Sequence, residues 1–320
     1  MVLDVKQVAS LVSDYMRRHG LPVPAPRDVI YSWAKPLNLP AKGRILLYTG
    51  GLYQLMPYIS SLVEQLSRFE KGSASRLALG IARSLGRIVD ISRLAVRPDK
   101  EMVEYSHRVL RSIARMLQKA GIEYAYPYED DLYSGVILYD LGLDDQFSDH
   151  AKRVYRALKG RGGETLITVD PHTTHMMRSV YPKFIDGYDL EVKTYLELLV
   201  EKGYKPLRIQ KDELVIHDPC IYARFEGVID QPRILLQKAG FRVLEPRRSR
   251  RMTYCCGGPI EGLAPSLSKR IAKTRIEELR EVGSRIVTLC PICYANLTAV
   301  AGKNVEIHDI AVRLGETLED

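Results

Sequence analysis

The sequence predicts an α/β protein with two pseudo-twofold-related halves, each built on a parallel sheet, preceded by an N-terminal helical segment. Short apolar runs, such as those at residues 44–48 and 214–217, alternate with stretches of helical periodicity. This alternation is typical of parallel α/β units. The sequence LQKAG occurs at residues 117–121 and again at 236–240, and each copy follows a helix-like stretch and leads into an apolar segment. We therefore expect both halves to share one order of elements.

In each half we expect the order strand, helix, strand, Gly-rich turn, helix, strand, Pro turn and helix. The strand before the Pro turn is predicted at residues 165–169 in the first half and at 285–289 in the second. The first half also carries a helical insertion at residues 55–115, and Pro98-Asp-Lys-Glu101 has the composition of a helix start within it. The strand-to-helix patterns that end the two halves lie at residues 191–202 and 306–318.

We divide the chain into three segments. Residues 1–40 are an N-terminal helical and linker segment, residues 41–205 a first α/β domain without cysteines, and residues 206–320 a second α/β domain with all five cysteines. Acidic and basic side chains stand among the apolar ones at the N-terminus, which favours an amphipathic helix over a secretory signal. Trp33, the only tryptophan, is expected to anchor the core.

Composition and charge indicate the cellular setting. No apolar run is long enough to span a bilayer, so we expect a cytoplasmic protein without a transmembrane segment. The formal net charge of +8 allows contact with nucleic acid, an anionic membrane or an acidic protein. No basic–aromatic recognition pattern accompanies this charge, so we expect no nucleic-acid partner.

The cysteines carry the functional signal of the sequence. They follow the pattern C-x34-C-C-x33-C-x2-C, at Cys220, Cys255, Cys256, Cys290 and Cys293. An odd number argues against a simple disulfide framework, and clustered cysteines in a reducing compartment are more often metal ligands. Thiolates bind soft metals. Because the cysteine segments lie at strand-to-helix turns on one sheet edge, we expect a single metal-thiolate site.

Local sequence explains how these cysteines can converge. Cys290-Pro-Ile-Cys293 is expected to open a helix at residues 294–301, and Pro291 is suited to the first helical turn. The first N–H groups and the dipole of this helix favour thiolate. Side chains of adjacent residues diverge in an extended chain, so Cys255 and Cys256 can serve one site only where the backbone bends. Gly257 and Gly258 permit that bend.

The cysteine spacing alone allows other functions for these thiols. The C-x2-C spacing also suits zinc or a redox dithiol. A dithiol leaves three cysteines unexplained and four-thiolate zinc leaves one, while unrelated buried cysteines are a further alternative. An iron–sulfur site accounts for all five.

This cysteine pattern resembles the cysteine-rich CCG domain of the heterodisulfide reductase family, and the resemblance covers residues 40–320. The family includes the B-type and D-type polypeptides of heterodisulfide reductases and the iron–sulfur subunits of glycolate, lactate and glycerol-3-phosphate oxidoreductases. The resemblance implies tandem CCG-type domains, with the five cysteines as ligands of a non-cubane [4Fe–4S] cluster; zinc is the alternative metal. It also implies an oxidoreductase subunit acting in thiol–disulfide redox chemistry or electron transfer.

The resemblance further implies partners. Ferredoxin-type cysteines do not precede the motif, so electrons are expected from a separate ferredoxin-like iron–sulfur subunit, and a flavoprotein subunit is a further candidate. Peripheral membrane association would run through such partners. Two other functions stay open: a zinc-stabilised, non-enzymatic interaction module, and the electron-relay subunit of a glycolate-, lactate- or glycerol-3-phosphate-type dehydrogenase.

The first half departs from the family motif at every cysteine position. The residues that stand there are Gly51, Tyr133, Ser134, Asp170 and Thr173. None of these supplies a thiolate, so this half is not expected to hold the same cluster.

Three polar features outside the motif allow two interpretations each. Asp170, His172 and His175 could bind a second metal, or Asp170 could cap a helix start. The basic tract at residues 247–251 could offset thiolate charge or dock an acidic partner. His217 at a strand end is expected to be hydrogen-bonded rather than a ligand.

Overall fold

The computed structural model describes residues 5–26, 28–71 and 96–318, which contain two parallel sheets. The first sheet has the order β1-β2-β3 and the second the order β5-β4-β6-β7. The strands are β1 (Ile45–Tyr48), β2 (Thr165–Thr168), β3 (Glu191–Thr194), β4 (Glu213–His217), β5 (Arg242–Leu244), β6 (Arg285–Thr288) and β7 (Glu306–Asp309). Every pairing is parallel. This confirms the α/β class with parallel sheets.

Helices link these strands. Those of the described residues are α1 (Val5–His19), α2 (Leu52–Lys71), α3 (Lys100–Lys119), α4 (Val136–Asp140), α5 (Asp144–Gly160), α6 (Pro171–His175), α7 (Tyr195–Glu201), α8 (Asp230–Lys238), α9 (Pro265–Arg280), α10 (Pro291–Thr298) and α11 (Ile310–Gly315). Within residues 5–26, 28–71 and 96–318, none combines the length and hydropathy needed to cross a bilayer.

The apolar segment after the repeated LQKAG behaves differently in the two halves. In the second half it forms β5 beside β4. In the first half it makes only an isolated parallel bridge between Leu46 and Ala125. The next residue, Tyr126, donates its backbone N–H to the carbonyl of Pro40 at 2.8 Å. Because this hydrogen bond joins Tyr126 to a residue outside the sheet, the segment pairs with β1 only at the bridge and does not form the predicted strand.

The helical insertion is described at both of its ends, as α2 and α3, while residues 72–95 of the predicted span lie outside the described residues. Asp99 caps α3, because its carboxylate accepts the backbone N–H of Glu101 at 2.8 Å. This confirms the helix start predicted from Pro98-Asp-Lys-Glu101. One face of α3, including Ile113 and Leu117, is fully buried in the core.

The two sheets share one hydrophobic core. Ile167 of the first sheet and Val287 of the second belong to the same buried cluster. Across the junction, the hydroxyl of Tyr53 donates to Asp309 Oδ2 at 2.6 Å. Trp33 is fully buried in this core, as predicted, and its indole N–H donates to the hydroxyl of Tyr126 at 3.1 Å. The halves are therefore in direct contact through apolar packing and buried polar bonds.

A buried carboxylate holds the turn that follows β1. Asp131 is 1% exposed. One of its oxygens accepts the backbone N–H groups of Thr49 and Gly50, at 3.1 and 3.2 Å. The other accepts the hydroxyls of Thr49 and Tyr126, at 2.5 and 2.7 Å. Burial raises the pKa of Asp131 to about 6 against these four donors, which favour its charged form.

We predict that Asp131→Asn lowers the free energy of unfolding by about 2 kcal/mol, because an amide N–H₂ would face donors and leave buried groups unpaired. Urea unfolding of the two proteins at neutral pH measures the change. Asp186→Asn, at an exposed loop residue, is the matched control and should change little. Equal midpoints for Asp131→Asn and Asp186→Asn would show that the turn does not need the carboxylate.

Candidate metal centre

Neighbouring strands bring two of the predicted cysteines to one sheet edge. β4 and β6 pair in parallel, with His217 opposite Thr288 at their carboxyl ends. Cys220 follows β4 by three residues, and Cys290 follows β6 by two. Because the ends of parallel neighbours lie at the same edge, both thiols reach the region above the sheet.

The cysteine at the end of β6 is also a helix cap. Cys290 is the N-cap residue of α10, and Pro291 occupies the first helical turn. The expected place of Pro291 in the first helical turn is confirmed, whereas the helical range predicted at residues 294–301 began three residues too late. Proline fits the first helical position without losing a hydrogen bond, so the helix starts there. Cys293 therefore lies in the first turn, which directs its thiol towards the same edge.

The paired cysteines lie on the bend that their glycines were expected to permit. Gly257 has a φ of +91°, and its N–H donates to Cys255 Sγ at 3.3 Å. A Cβ on Gly257 would lie 2.4 Å from the carbonyl oxygen of Ser268, and one on Gly258 would lie 2.1 Å from Ile292. Close approach of other chain segments, together with the left-handed backbone at Gly257, requires glycine here.

The five thiols form one continuous group. All of them are free, with no disulfide between them. Side-chain contacts run from Cys220 to Cys255, Cys256, Cys293 and Cys290 in that order. Cys256, Cys290 and Cys293 are buried, whereas Cys220 and Cys255 are partly exposed. The site thus has a closed side and a side that reaches the surface.

Charge within this group is favoured at two of the sulfurs. Contacts with the Cys220 thiol and then the Cys256 thiol lower the pKa of Cys255 to about 2. Burial opposes ionisation of Cys290, yet Cys293 and His172 together hold the pKa of Cys290 well below its usual range. Contact with Cys255 raises the pKa of Cys220 and of Cys256, and contact with Cys256 and then Cys290 raises the pKa of Cys293. The arrangement concentrates negative charge that a soft cation would match.

Two histidines approach the sulfurs from opposite halves of the chain. His217, 1% exposed, has a ring nitrogen within 4.8 Å of the sulfurs of Cys256 and Cys293. His172 of the first half lies with its Nδ1 3.9 Å from Cys290 Sγ. Burial lowers the pKa of His172, but the contact with Cys290 outweighs it and raises that pKa to about 9.

Sequence reasoning missed the contact of His172 with the cysteine group. The sequence did contain a signal for this contact. His172 is the third residue of Asp-Pro-His-Thr, the first-half segment that corresponds in position to Cys-Pro-Ile-Cys of the second half.

The first half also supplies the apolar cover of the site. Leu52 and Met56 of α2 belong to the buried cluster that contains Cys256, Cys290 and Cys293. The ring of Tyr294, the residue after Cys293, stacks on Tyr105 of α3, with centroids 4.5 Å apart. The thiols therefore lie between the two halves rather than within one of them.

The second metal site considered for the first half does not form. The Asp170 carboxylate accepts the backbone N–H groups of His172 and Thr173, at 2.9 and 3.0 Å, so it caps α6. His175 instead contacts Glu226 at 2.6 Å. In the part of the chain that the structure describes, the metal-type group of three ligands is His217, Cys256 and Cys293.

The basic tract at residues 247–251 has partners within the chain. Arg248 packs over the ring of Tyr254 at 4.0 Å and pairs with Glu278 at 2.9 Å. Arg250 pairs with Asp230 at 2.7 Å. These two arginines support the loop that leads into the paired cysteines.

Comparison with known proteins agrees with this geometry. Residues 214–298, which contain all five cysteines, match the family model described as CCG, cysteine-rich domain. This segment is therefore a cysteine-rich domain of the CCG family, and the resemblance inferred from the cysteine pattern is confirmed.

Several curated relatives match about two thirds of the chain. A "Probable membrane-anchored ferredoxin" of Chromohalobacter salexigens is 29% identical, over 67% of this chain and 34% of its own length. An "EtfAB:quinone oxidoreductase" of Syntrophomonas wolfei is 28% identical, over 66% and 32%. The D-type polypeptide of a heterodisulfide reductase of Methanosarcina acetivorans is 26% identical, over 64% and 54%. The chain spans about a third of the length of the first two and about half of the third.

We predict that Gly257→Ala lowers the free energy of unfolding by about 3 kcal/mol, because a left-handed alanine is strained and its Cβ overlaps the Ser268 carbonyl. Gly262→Ala is the matched control: it lies five residues along the same loop, and a Cβ there would meet nothing within 4 Å. Denaturant unfolding and thiol titration of both variants check this. If the two variants were equally stable, the bend would not depend on glycine.

Proposed function

We propose that this chain is an iron–sulfur electron-transfer subunit of an oxidoreductase complex, with Cys220, Cys255, Cys256, Cys290 and Cys293 as the ligands of one cluster. The observation that carries the proposal is the continuous contact of five free thiols at one largely buried sheet edge. We assign the cluster to the non-cubane [4Fe–4S] type of the heterodisulfide reductase family, since that type uses five cysteines.

The donor set fits iron and sulfide better than zinc. Structural zinc takes four ligands in a tetrahedron, so a fifth sulfur in contact with the others would have no role. Sulfur ligands select soft metals and iron–sulfur clusters. The backbone N–H of Gly257 points at Cys255 and the ring of His172 lies beside Cys290, so polar groups already face the sulfurs where negative charge would sit.

We further propose that residues 41–205 and 206–320 are tandem CCG-type domains, the first degenerate, after an N-terminal segment at 1–40. Support comes from the matching positions of α6 and α10. Each follows a strand that pairs in parallel with the first strand of its half, β2 beside β1 and β6 beside β4. Each begins with proline and has its N-cap at the position of the first cysteine of the C-P-x-C pair, Asp170 or Cys290. The degenerate domain would serve the cluster as cover and as the source of His172.

When bound, the cluster would supply one-electron transfer, and the protein groups around it have separate tasks. Leu52 and Met56 exclude water from the buried sulfurs. Cys220 and Cys255 are partly exposed, so electrons would enter or leave on their side. A cytoplasmic ferredoxin-like subunit, with a flavoprotein as a further candidate, would dock there. Relatives named as a ferredoxin and an EtfAB:quinone oxidoreductase support such partners, and membrane association would run through them.

The finer assignment, to thiol–disulfide chemistry, rests on the relatives named as D-type polypeptides of heterodisulfide reductases. Reduced viologen and a small asymmetric disulfide, added to the anaerobic protein, distinguish catalysis from relay. Release of two thiols for each disulfide, with oxidation of two viologens, would support the chemistry. Electron uptake without thiol release would assign the chain to relay alone.

We predict that anaerobically purified protein contains roughly four irons and matching acid-labile sulfide per chain, the content of a [4Fe–4S] cluster. Cys256→Ser should lose more than half of this iron, because it removes a central thiol. Metal analysis with electron paramagnetic resonance checks both results.

Ser134→Ala is the matched control for that experiment, since Ser134 stands at the position of Cys256 in the first half and is also buried. It should keep the full iron content. Zinc without iron in the wild-type protein would contradict the proposed redox function. Full iron in Cys256→Ser would show that the ligand set is wrong.

A further inference from the structure

The ring of His217 is held by a donor on one side and faces sulfur on the other. It ends β4 at the edge where the cysteines converge. Its Nδ1 accepts the Nε–H of Arg275 at 3.0 Å, and both side chains are buried. Its Nε2 is also buried and bonds to no group among residues 5–26, 28–71 and 96–318.

Arg275 determines which ring nitrogen carries the proton. A guanidinium has five N–H donors and no acceptor, so the nitrogen that faces it must offer a lone pair. The tautomer with hydrogen on Nδ1 and the doubly protonated ring would both set N–H against N–H. The proton of His217 therefore lies on Nε2.

The guanidinium is itself fixed in this position. Arg275 is fully buried, and its Nη1 donates to the carbonyl of Arg248 at 2.9 Å and to Glu278 at 3.0 Å. Glu278 also accepts from the backbone and side chain of Arg248. Because these bonds tie it to the Arg248 loop as well as to its own helix, Arg275 cannot turn away from His217 without breaking them.

The Nε2–H group has no hydrogen-bond partner among the described residues, and two cysteine sulfurs lie near the ring. A buried N–H left unpaired costs about 1–3 kcal/mol. The sulfurs of Cys256 and Cys293 lie within 4.8 Å of a ring nitrogen of His217, and a thiolate is a good acceptor for an N–H donor.

We propose that His217 donates its Nε2–H to the thiolate of Cys256 or Cys293 and is not a metal ligand, with Arg275 as the positioning residue that sets the tautomer. The proposal deepens the proposed function and rests on it, because it concerns sulfurs assigned there as cluster ligands. It also reinterprets the group His217, Cys256 and Cys293, whose spacing alone resembles a metal site.

Ligation by His217 would require a different partner for its other nitrogen. A metal-bound histidine ordinarily donates its second N–H to a carboxylate, a carbonyl or water. Here that place is taken by Arg275, which can only donate. An N–H donor to cluster sulfur stabilises the more negative oxidation state and so raises the reduction potential.

The tautomer is tested without any metal. Nitrogen-15 resonances of labelled histidine in the reduced, anaerobic chain should show one buried ring with hydrogen on Nε2, absent in His217→Gln. A resonance for His217 with hydrogen on Nδ1, or on both nitrogens, would overturn the proposal.

The bonding role is tested on the metal-loaded wild-type protein by X-ray absorption, which needs no variant. The metal edge should show sulfur neighbours without the scattering of an imidazole ring, whichever metal is bound. Imidazole scattering that disappears in His217→Gln would make His217 a ligand. If the bound metal is zinc instead of iron, the iron–sulfur function is refuted. The presence or absence of imidazole scattering would still show whether His217 is a ligand.

Substitutions of His217 complete the test in the iron-loaded protein. His217→Leu should shift the midpoint potential to a more negative value, whereas His217→Gln, which keeps an N–H donor, should shift it less. His308→Gln is the control, since His308 lies in the same sheet among Glu306, Arg313 and Glu316. Equal potentials for wild type and His217→Leu would contradict a bond to cluster sulfur.

Discussion

The structure depends on burying several ionisable sulfurs at one place, which is costly unless each negative charge meets a partner. Partners come from four sources: the N–H of Gly257, the ring of His172, the ring of His217 and the thiols themselves. Arg275 acts indirectly, because its hydrogen bond to Nδ1 holds the ring of His217 in place. The sheet order that sets β4 beside β6, and the bend at Gly257, bring these groups together.

This constraint explains how a half without cysteines can still belong to the site. α2 places Leu52 and Met56 over the sulfurs, and α6 places His172 beside Cys290. Both helices follow strands of the first sheet, so their positions depend on that sheet. Polar groups of this half build turns, such as Asp170, which caps α6. A half without thiol ligands thus contributes cover and polar contacts to its neighbour.

Much of this arrangement could be read from the sequence. Apolar runs predicted the principal strands, the glycines predicted the bend, and the spacing of the cysteines predicted their convergence. Pro291 was expected in the first turn of the helix after Cys290 and lies there, although the helical range was predicted to begin three residues later than it does. The apolar segment after the first LQKAG, predicted as a strand, makes only a bridge, since Tyr126 donates its N–H to Pro40 outside the sheet. The contact of His172 with Cys290 was missed because it depends on packing between the halves, and the position of His172 in Asp-Pro-His-Thr was its one local signal.

Anomalous diffraction at the iron edge, from anaerobically grown crystals of the chain, tests the central claim most directly. We expect iron peaks enclosed by the sulfurs of Cys220, Cys255, Cys256, Cys290 and Cys293, each bonded to iron, with the ring of His217 outside bonding distance. A single zinc peak with four sulfur ligands, or iron held by other residues, would contradict this account.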